Sequence, residues 1–296
     1  MSSAPAIALD WPLPRGRSLA LREPGVMGVL NVTPDSFSDG GRHAEAPAAI
    51  AAGLAMAEAG AAVIDVGGES TRPGAKRVPS AEQIARVVEP IRRLRGALDD
   101  DGHAAVAIGI DTTRAAVAEA AIDAGAAIVN DVSAGREDAA MLALAAERGV
   151  PIVLMHMRGQ PATMQDDPRY DGPGGVVGEV ERFLAERAEA AETAGVPRER
   201  IALDPGIGFG KTAEHNRDLM RALPSLAARG LPVVVGASRK RFIAAVSPAT
   251  GADASDRLGG TCAATLWAAS SGASLIRVHD VAANRQALDV WRWLRG

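Results

Sequence analysis

Residues able to accept hydrogen bonds from a small ligand, or to place charge on it, recur at one position in a repeating pattern, just after a short apolar run. In chain order they are Asn31, Asp65, Asp111, Asn130 with Asp131, Met155 with His156, Asp204, Ser238-Arg239-Lys240, and Arg277 with His279. Asp111, Asn130 and Asp204 are two carboxylates and an amide. Such acceptors suit a flat heterocycle rich in amino and ring N–H donors. Arg72, Lys240, Arg277 and His279 are cationic or can become so, and suit an anion. No dense acidic cluster is present to hold a metal by itself. A Mg²⁺ held by one amide, Asn31, with phosphate oxygens of a substrate and waters, matches that ion's habits. Asp35 and Asp39 are neighbouring carboxylates that could assist or could cap turns.

Each residue alone also has a plainer reading. Asn31 reads as a satisfied core amide or as a ligand at a strand mouth. Asp111 and Asp131 could cap the helices that follow, and Asp65, inside Ile64-Asp65-Val66-Gly67-Gly68, could only brace the core. His156 between two methionines reads as a packed histidine. Gly206, Gly208 and Gly210 could form a phosphate nest, although spaced glycines alone signal this weakly. The constellation outweighs its parts, because every apolar run ends in polar groups or glycine turns.

The runs that must position these groups are Val26–Val32, Ala62–Val66, Ala105–Asp111, Ala127–Asp131, Pro151–His156, Ile201–Asp204, Pro232–Ala237 and Ser274–Val278. None alternates strictly, as expected of strands buried on both faces of a parallel sheet. Helical patterns lie between them at Glu45–Ala59, Ser80–Leu98, Thr113–Ala124, Glu137–Arg148, Val176–Ala194, Ala213–Arg229, Ser255–Ser271 and Val281–Leu294. Ser80 and Gln83 have capping-box spacing, Thr113 and Thr212 are placed to cap helices, and Gly60, Gly125, Gly149, Gly195 and Gly230 are placed to close them. Eight strand–helix units in a row predict a TIM (β/α)₈ barrel, whose functional groups gather at the C-terminal ends of its strands. A doubly wound sheet is the alternative, but no G-x-G-x-x-G follows the first run. Residues 1–24, with four prolines, read as an irregular extension able to form a short hairpin over one end, and residues 25–296 as one barrel domain.

Composition agrees. The chain of 296 residues is 47% hydrophobic and 23% charged, with net charge −4, ordinary for a globular protein of one such domain. The negative balance argues against nonspecific binding to nucleic acid or an anionic membrane. The single cysteine, Cys262, allows no internal disulfide and reads as a small buried residue. No secretory signal is visible at the N-terminus and Thr261–Val278 makes a poor membrane span, so a cytoplasmic location is expected.

The segments Met27–Gly41, Asp65–Gly74 (DVGGESTRPG), Asp111-Thr112, Asn130-Asp131, Leu154–Met157, Asp204–Lys211, Ser238–Lys240 and Arg277–Asp280 (RVHD) resemble, in order, the motifs of dihydropteroate synthases. The resemblance implies a TIM barrel, usually a homodimer, in folate biosynthesis. It implies the joining of 6-hydroxymethyl-7,8-dihydropterin diphosphate to p-aminobenzoate, and a sulfonamide target. Carried over by residue, Asp111, Asn130, Asp204 and Lys240 would hold the pterin, with Met155 and Phe209 lining its slot. Asn31 would take Mg²⁺. Arg277 and His279 would bind diphosphate, Arg277 also covering the pterin face. Thr71, Arg72, Pro73, Phe37 and Ser238 would shape the p-aminobenzoate end, and loops Thr33–Gly41 and Glu69–Pro79 would close over the site. Ile207 departs from the Phe of many relatives, apolar for apolar. Competing readings are an aldolase using Lys240 as a Schiff-base amine, a pterin-binding methyltransferase, and a pterin-binding paralogue without catalysis. Ser255–Ser271 and Val281–Leu294, with Trp267 and Trp291, are candidates for a dimer face.

Overall fold

A computed structural model of the chain describes residues 9–32, 42–70, 77–159, 163–247 and 253–295. Leu9–Pro12 (β1) and Ser18–Leu21 (β2) pair antiparallel, Trp11 opposite Leu19. Eight parallel strands follow: Gly25–Asn31 (β3), Val63–Gly67 (β4), Ala107–Asp111 (β5), Ile128–Asp131 (β6), Ile152–Met155 (β7), Ile201–Asp204 (β8), Val234–Val235 (β9) and Leu275–Val278 (β10). Each pairs with the next, β10 returns to β3, and a parallel bridge between Leu203 and Val233 closes the ring. Helices Arg42–Glu58 (α1), Ser80–Asp100 (α2), Ala115–Ala124 (α3), Ala140–Arg148 (α4), Gly175–Thr193 (α5), Ala213–Ala227 (α6), Arg241–Val246 (α7), Leu258–Ser270 (α8) and Val281–Arg295 (α9) follow the strands in turn, α7 and α8 both after β9. The fold is the expected TIM barrel.

The sequence explains this arrangement locally. Strands β4 to β8 are buried at every residue, which is why they read as continuous apolar runs. In α2, Val87, Ile91, Leu94 and Leu98 fall on one face and are fully buried, each such side chain contributing roughly 1.5–3 kcal/mol relative to exposure. At the N-terminal ends of the strands, Met27, Val63, Ala107, Ile128, Val153, Ala202, Val234 and Leu275 form one apolar cluster with Trp11, Leu13, Leu19 and Leu21 of the hairpin. The hairpin therefore plugs that end of the barrel. Among the described residues, no helix is long and apolar enough to cross a membrane.

Several local expectations change. The run Pro232–Ala237 narrows to the two residues of β9, since Pro232 has no N–H to give to a ladder. The helix expected from Glu137 begins at Ala140, because Asp131 holds the preceding turn, accepting from the backbone N–H groups of Ser133 and Gly135, each at 2.7 Å. Helix α7 was not expected. Ser80 is not a cap: α2 starts from Pro79 without a side-chain cap, and the Gln83 amide instead donates to Val78 O at 2.9 Å. Thr113 is not a cap either. Its hydroxyl donates to Glu137, and Asp138 accepts from the first N–H of α3, both at 2.8 Å. Thr212 does form a capping box on α6 with His215.

Candidate active site

Strand register assembles the core of the site. Asn31 is opposite Gly67, Gly67 opposite Asp111, and Asp111 opposite Asn130, so four adjacent strands deliver one row at the C-terminal mouth. Arg277, near the end of β10, reaches across the barrel. Its Nε donates to Asp65 Oδ2 and its Nη2 to Asp111 Oδ2, each at 2.7 Å. Asn130 Nδ2 donates to the same Asp65 oxygen at 2.8 Å. Asp65, Asp111 and Asn130 are all buried.

A charge in an apolar strand requires partners, because an isolated buried ion is very costly. Burial works against the Arg277 charge, but the Asp65 and Asp111 carboxylates outweigh it and hold the guanidinium protonated. Burial pushes Asp111 up to about 7, with Arg277 opposing the shift and Asp65 adding to it. The Oδ1 atoms of Asp65 and Asp111 have no hydrogen-bond partner among the described residues. An unpaired buried acceptor costs about 1–3 kcal/mol, and at the mouth Asp111 Oδ1 is suited to take a donor from a ligand.

A second wall comes from the loops after β8 and β9. Lys240 Nζ donates to Ile207 O and lies 3.9 Å from the centre of the Phe209 ring, a cation–π contact. Burial lowers Lys240 to about 7, against the pull of Asp204 and with help from Arg277. Asp204 is raised by burial, although it accepts from Gly206 N at 2.7 Å. Met155 and Phe209 pack with Val132, Met157 and Met164 as an apolar surface beside these polar groups.

The Gly206–Phe209 stretch of the glycine loop acts as a scaffold, because three of its N–H groups are already used. Gly206 N donates to Asp204, Gly208 N to Asn216 Oδ1 at 2.7 Å, and Phe209 N to Gly206 O at 3.1 Å. Gly208 has φ of 82°, and a Cβ there would overlap Lys240 Cδ, so glycine is required where Lys240 crosses. Outside the loop, Gln165 and Tyr170 donate to Gly208 O and Gly210 O at 2.6 and 2.8 Å. Lys211 is buried beneath it, with Nζ 3.0 Å from both Phe209 O and His156 Nδ1. Burial and Lys211 keep His156 neutral. Its ring meets Phe183 edge-on at 4.9 Å, as expected of a packed histidine.

Ser238 and His279 meet at the rim. Ser238 Oγ accepts from His279 N at 3.2 Å and lies 3.1 Å from His279 Nδ1. Arg239 is committed elsewhere, its Nε and Nη2 both on the Asp280 carboxylate, with φ of 58°. Phe37, Thr71, Arg72 and Pro73 lie outside the described residues, as do Asp35, Asp39 and most of both expected closing loops. Among the described residues, no group of three or more His, Cys, Asp or Glu could hold a metal. Sequence reasoning undervalued Asp65, which is the hub between Arg277 and Asn130. Its signal was a carboxylate placed two residues before the end of an otherwise apolar strand.

The profile of the pterin binding enzyme family matches residues 27–279. A dihydropteroate synthase of Synechocystis sp. is 45% identical over 287 residues, which is 95% of this chain and 96% of the relative. A solved structure of Xanthomonas albilineans dihydropteroate synthase with 4-aminobenzoic acid aligns with a TM-score of 0.86 at 45% identity, covering 100% of this chain and 99% of that one. Another from the same organism, in complex with 7,8-dihydropteroate, aligns at 0.82 and 42% identity over 96% and 99% of the two chains. The fold and site define a pterin-binding barrel enzyme. Within that class the chain belongs to the dihydropteroate synthase family of transferases.

Proposed function

We propose that the protein is the dihydropteroate synthase of folate biosynthesis. It condenses 6-hydroxymethyl-7,8-dihydropterin diphosphate with p-aminobenzoate to give 7,8-dihydropteroate and diphosphate. The observation that carries this reading is the mouth row, in which Asp111, Asn130 and Arg277 are locked together beside an apolar slot. Asp111, Asn130 and Asp204 supply acceptors for the N–H edge of a pterin, Lys240 adds a donor, and Met155 and Phe209 line its slot. The Nε and Nη2 corners of Arg277 are held by carboxylates, which leaves Nη1 to meet the ring face or an anion. His279 and Ser238 at the rim are assigned to the diphosphate and to p-aminobenzoate respectively. Phe37, Thr71, Arg72 and Pro73 are assigned to the p-aminobenzoate end.

In the reaction, the methylene C–O bond breaks and its electron pair leaves on the diphosphate. The electron-rich dihydropterin delocalises the positive charge left on carbon. The aniline nitrogen uses its lone pair to form the C–N bond and releases one proton to solvent. Arg277 and His279 stabilise charge where it develops on the leaving group, and exclusion of water protects the cation from capture. Asn31 ends β3 as a half-buried amide, in register with Gly67 of β4 and through it with Asp111 of β5. That single neutral oxygen fits Mg²⁺ only in company with substrate phosphate oxygens and waters. Bound there, the ion would supply charge neutralisation on the diphosphate.

The test is an assay with pterin diphosphate, p-aminobenzoate and Mg²⁺, each omitted in turn. Dihydropteroate is expected only when all three are present, and product formation without added Mg²⁺ in chelator would remove Asn31's assigned role. Asn31→Ala should cut turnover by about 100-fold or more, the usual scale for one lost electrostatic contact. A cytoplasmic homodimer is proposed with it. Trp267 is committed through Nε1 to Met220 O at 2.9 Å, whereas Val290, Trp293 and Leu294 of α9 are the more exposed apolar groups. Light scattering of the purified protein should give twice the chain mass.

A further inference from the structure

Asp65 is fully buried, midway along β4, and one of its oxygens serves two donors from different strands. Oδ2 accepts from Asn130 Nδ2 at 2.8 Å and from Arg277 Nε at 2.7 Å. The amide of Asn130 has a donor end and an acceptor end. Turned the other way, its oxygen would face the Asp65 carboxylate and neither would have a proton to share. The carboxylate therefore decides the direction of the amide: nitrogen inward, oxygen away. The same contact fixes the Arg277 fork, whose Nη2 is held by Asp111. The other Asp65 oxygen, Oδ1, has no hydrogen-bond partner among the described residues and rests against Gly109, its register neighbour on β5, where an added Cβ would lie 2.7 Å from it.

From this geometry we infer that Asp65 is a positioning residue that sets the hydrogen-bonding polarity of the pterin subsite, presenting Asn130 as an acceptor and Arg277 through Nη1. Asp65 touches no substrate itself and acts through its two partners. The inference rests on the pterin reading of the site. It predicts selectivity for a ring that offers a donor to Asn130, and a loss of that selectivity when the buried carboxylate is replaced.

The test uses the full chain and measures the Kd of 6-hydroxymethyl-7,8-dihydropterin diphosphate alongside the KM of p-aminobenzoate. In Asp65→Asn the shared oxygen loses its charge, and the new amide nitrogen either displaces it from Asn130 and Arg277 or lies against Gly109 without an acceptor, so a buried donor goes unmet whichever way the amide turns. Pterin Kd should rise about tenfold or more, the scale of an unmet buried hydrogen bond, while the KM of p-aminobenzoate stays within about twofold. Gly109→Ala is the second variant and needs no change of charge. Its backbone is not in the left-handed region, and its methyl would push on Oδ1, so pterin Kd should rise in the same direction by a smaller factor. Should Asp65→Asn fail to fold, Gly109→Ala decides the matter. In an Asn130→Ala background, the Asp65→Asn change should add clearly less than it does in the wild type, what remains passing through Arg277, because residues that share a contact are not additive. A residue serving only stability would lower the folded fraction and leave the Kd per folded site unchanged. Wild-type pterin Kd in Gly109→Ala and Asp65→Asn, or fully multiplicative effects with Asn130→Ala, would overturn the inference. Failure of the wild-type chain to bind the pterin would instead overturn the reading on which it rests.

Discussion

The two ends of the barrel are made by the same strands and could hardly differ more in chemistry. At the N-terminal end, Met27, Val63, Ala107, Ile128, Val153, Ala202, Val234 and Leu275 meet the hairpin residues Trp11, Leu13, Leu19 and Leu21 in one apolar cluster. Two to four residues further along, the same strands or the loops just after them carry Asn31, Asp65, Asp111, Asn130, Asp204, Ser238 and Arg277. One end is closed and contributes stability. The other is left with buried carboxylates and cations that cost free energy until they pair. The barrel can sustain this cost because its lower layer is apolar and buried, while the polar layer is cross-linked by Arg277.

The comparison can be broken from either side. The largest effect is expected at the mouth, from Arg277→Ala. It leaves Asp65 and Asp111 buried without their cation, so denaturant titration should show a loss of about 3–5 kcal/mol, with turnover down by at least about 100-fold. At the closed end, Trp11→Ala should lose a similar ~3–5 kcal/mol by opening a cavity, yet turnover per folded molecule should stay near wild type. A drop in turnover matching the first variant would mean that the two layers are not separable.

A smaller effect sharpens the contrast through pH. Asp111 is raised by burial, against Arg277, from 3.8 to about 7. Its contribution to stability is therefore present below 3.8 and is lost as pH rises through about 7. Lys211 and Lys240 are lowered by burial from 10.5 to about 7. Their contribution is present above 10.5 and is lost as pH falls through about 7. These groups together give a stability minimum near neutrality, measurable by chemical denaturation across pH. Asp111→Asn should flatten the acid limb, and Trp11→Ala should leave the shape unchanged. The smallest effect belongs to the outer layer: Thr212→Ala removes the α6 capping box and should lower stability by about 1 kcal/mol without altering the pH profile.

Much of the site was legible before any coordinates. Asn31, Asp111, Asn130, Asp204, Lys240 and Arg277 were found because each interrupts or follows an apolar run, a break visible within a few residues. The role of Asp65 was not legible, since its partners Asn130 and Arg277 lie 65 and 212 residues away. The glycine loop misled for a related reason. Its spacing matched a nest, but whether its N–H groups remain available depends on Asp204 and Asn216. Thr113 and Ser80 looked like caps, and the neighbouring Asp138 and Gln83 changed what those ends required.

By itself the sequence determined the strands, the barrel and the kinds of groups at its mouth, because burial on both faces and an abrupt polar break are local properties of the chain. Only the tertiary structure decided which groups hold one another and which atoms remain for a ligand. Those choices follow from ring closure and register, which place Arg277 of β10 across from Asp65 and Asp111 and so fix the direction in which Asn130 points.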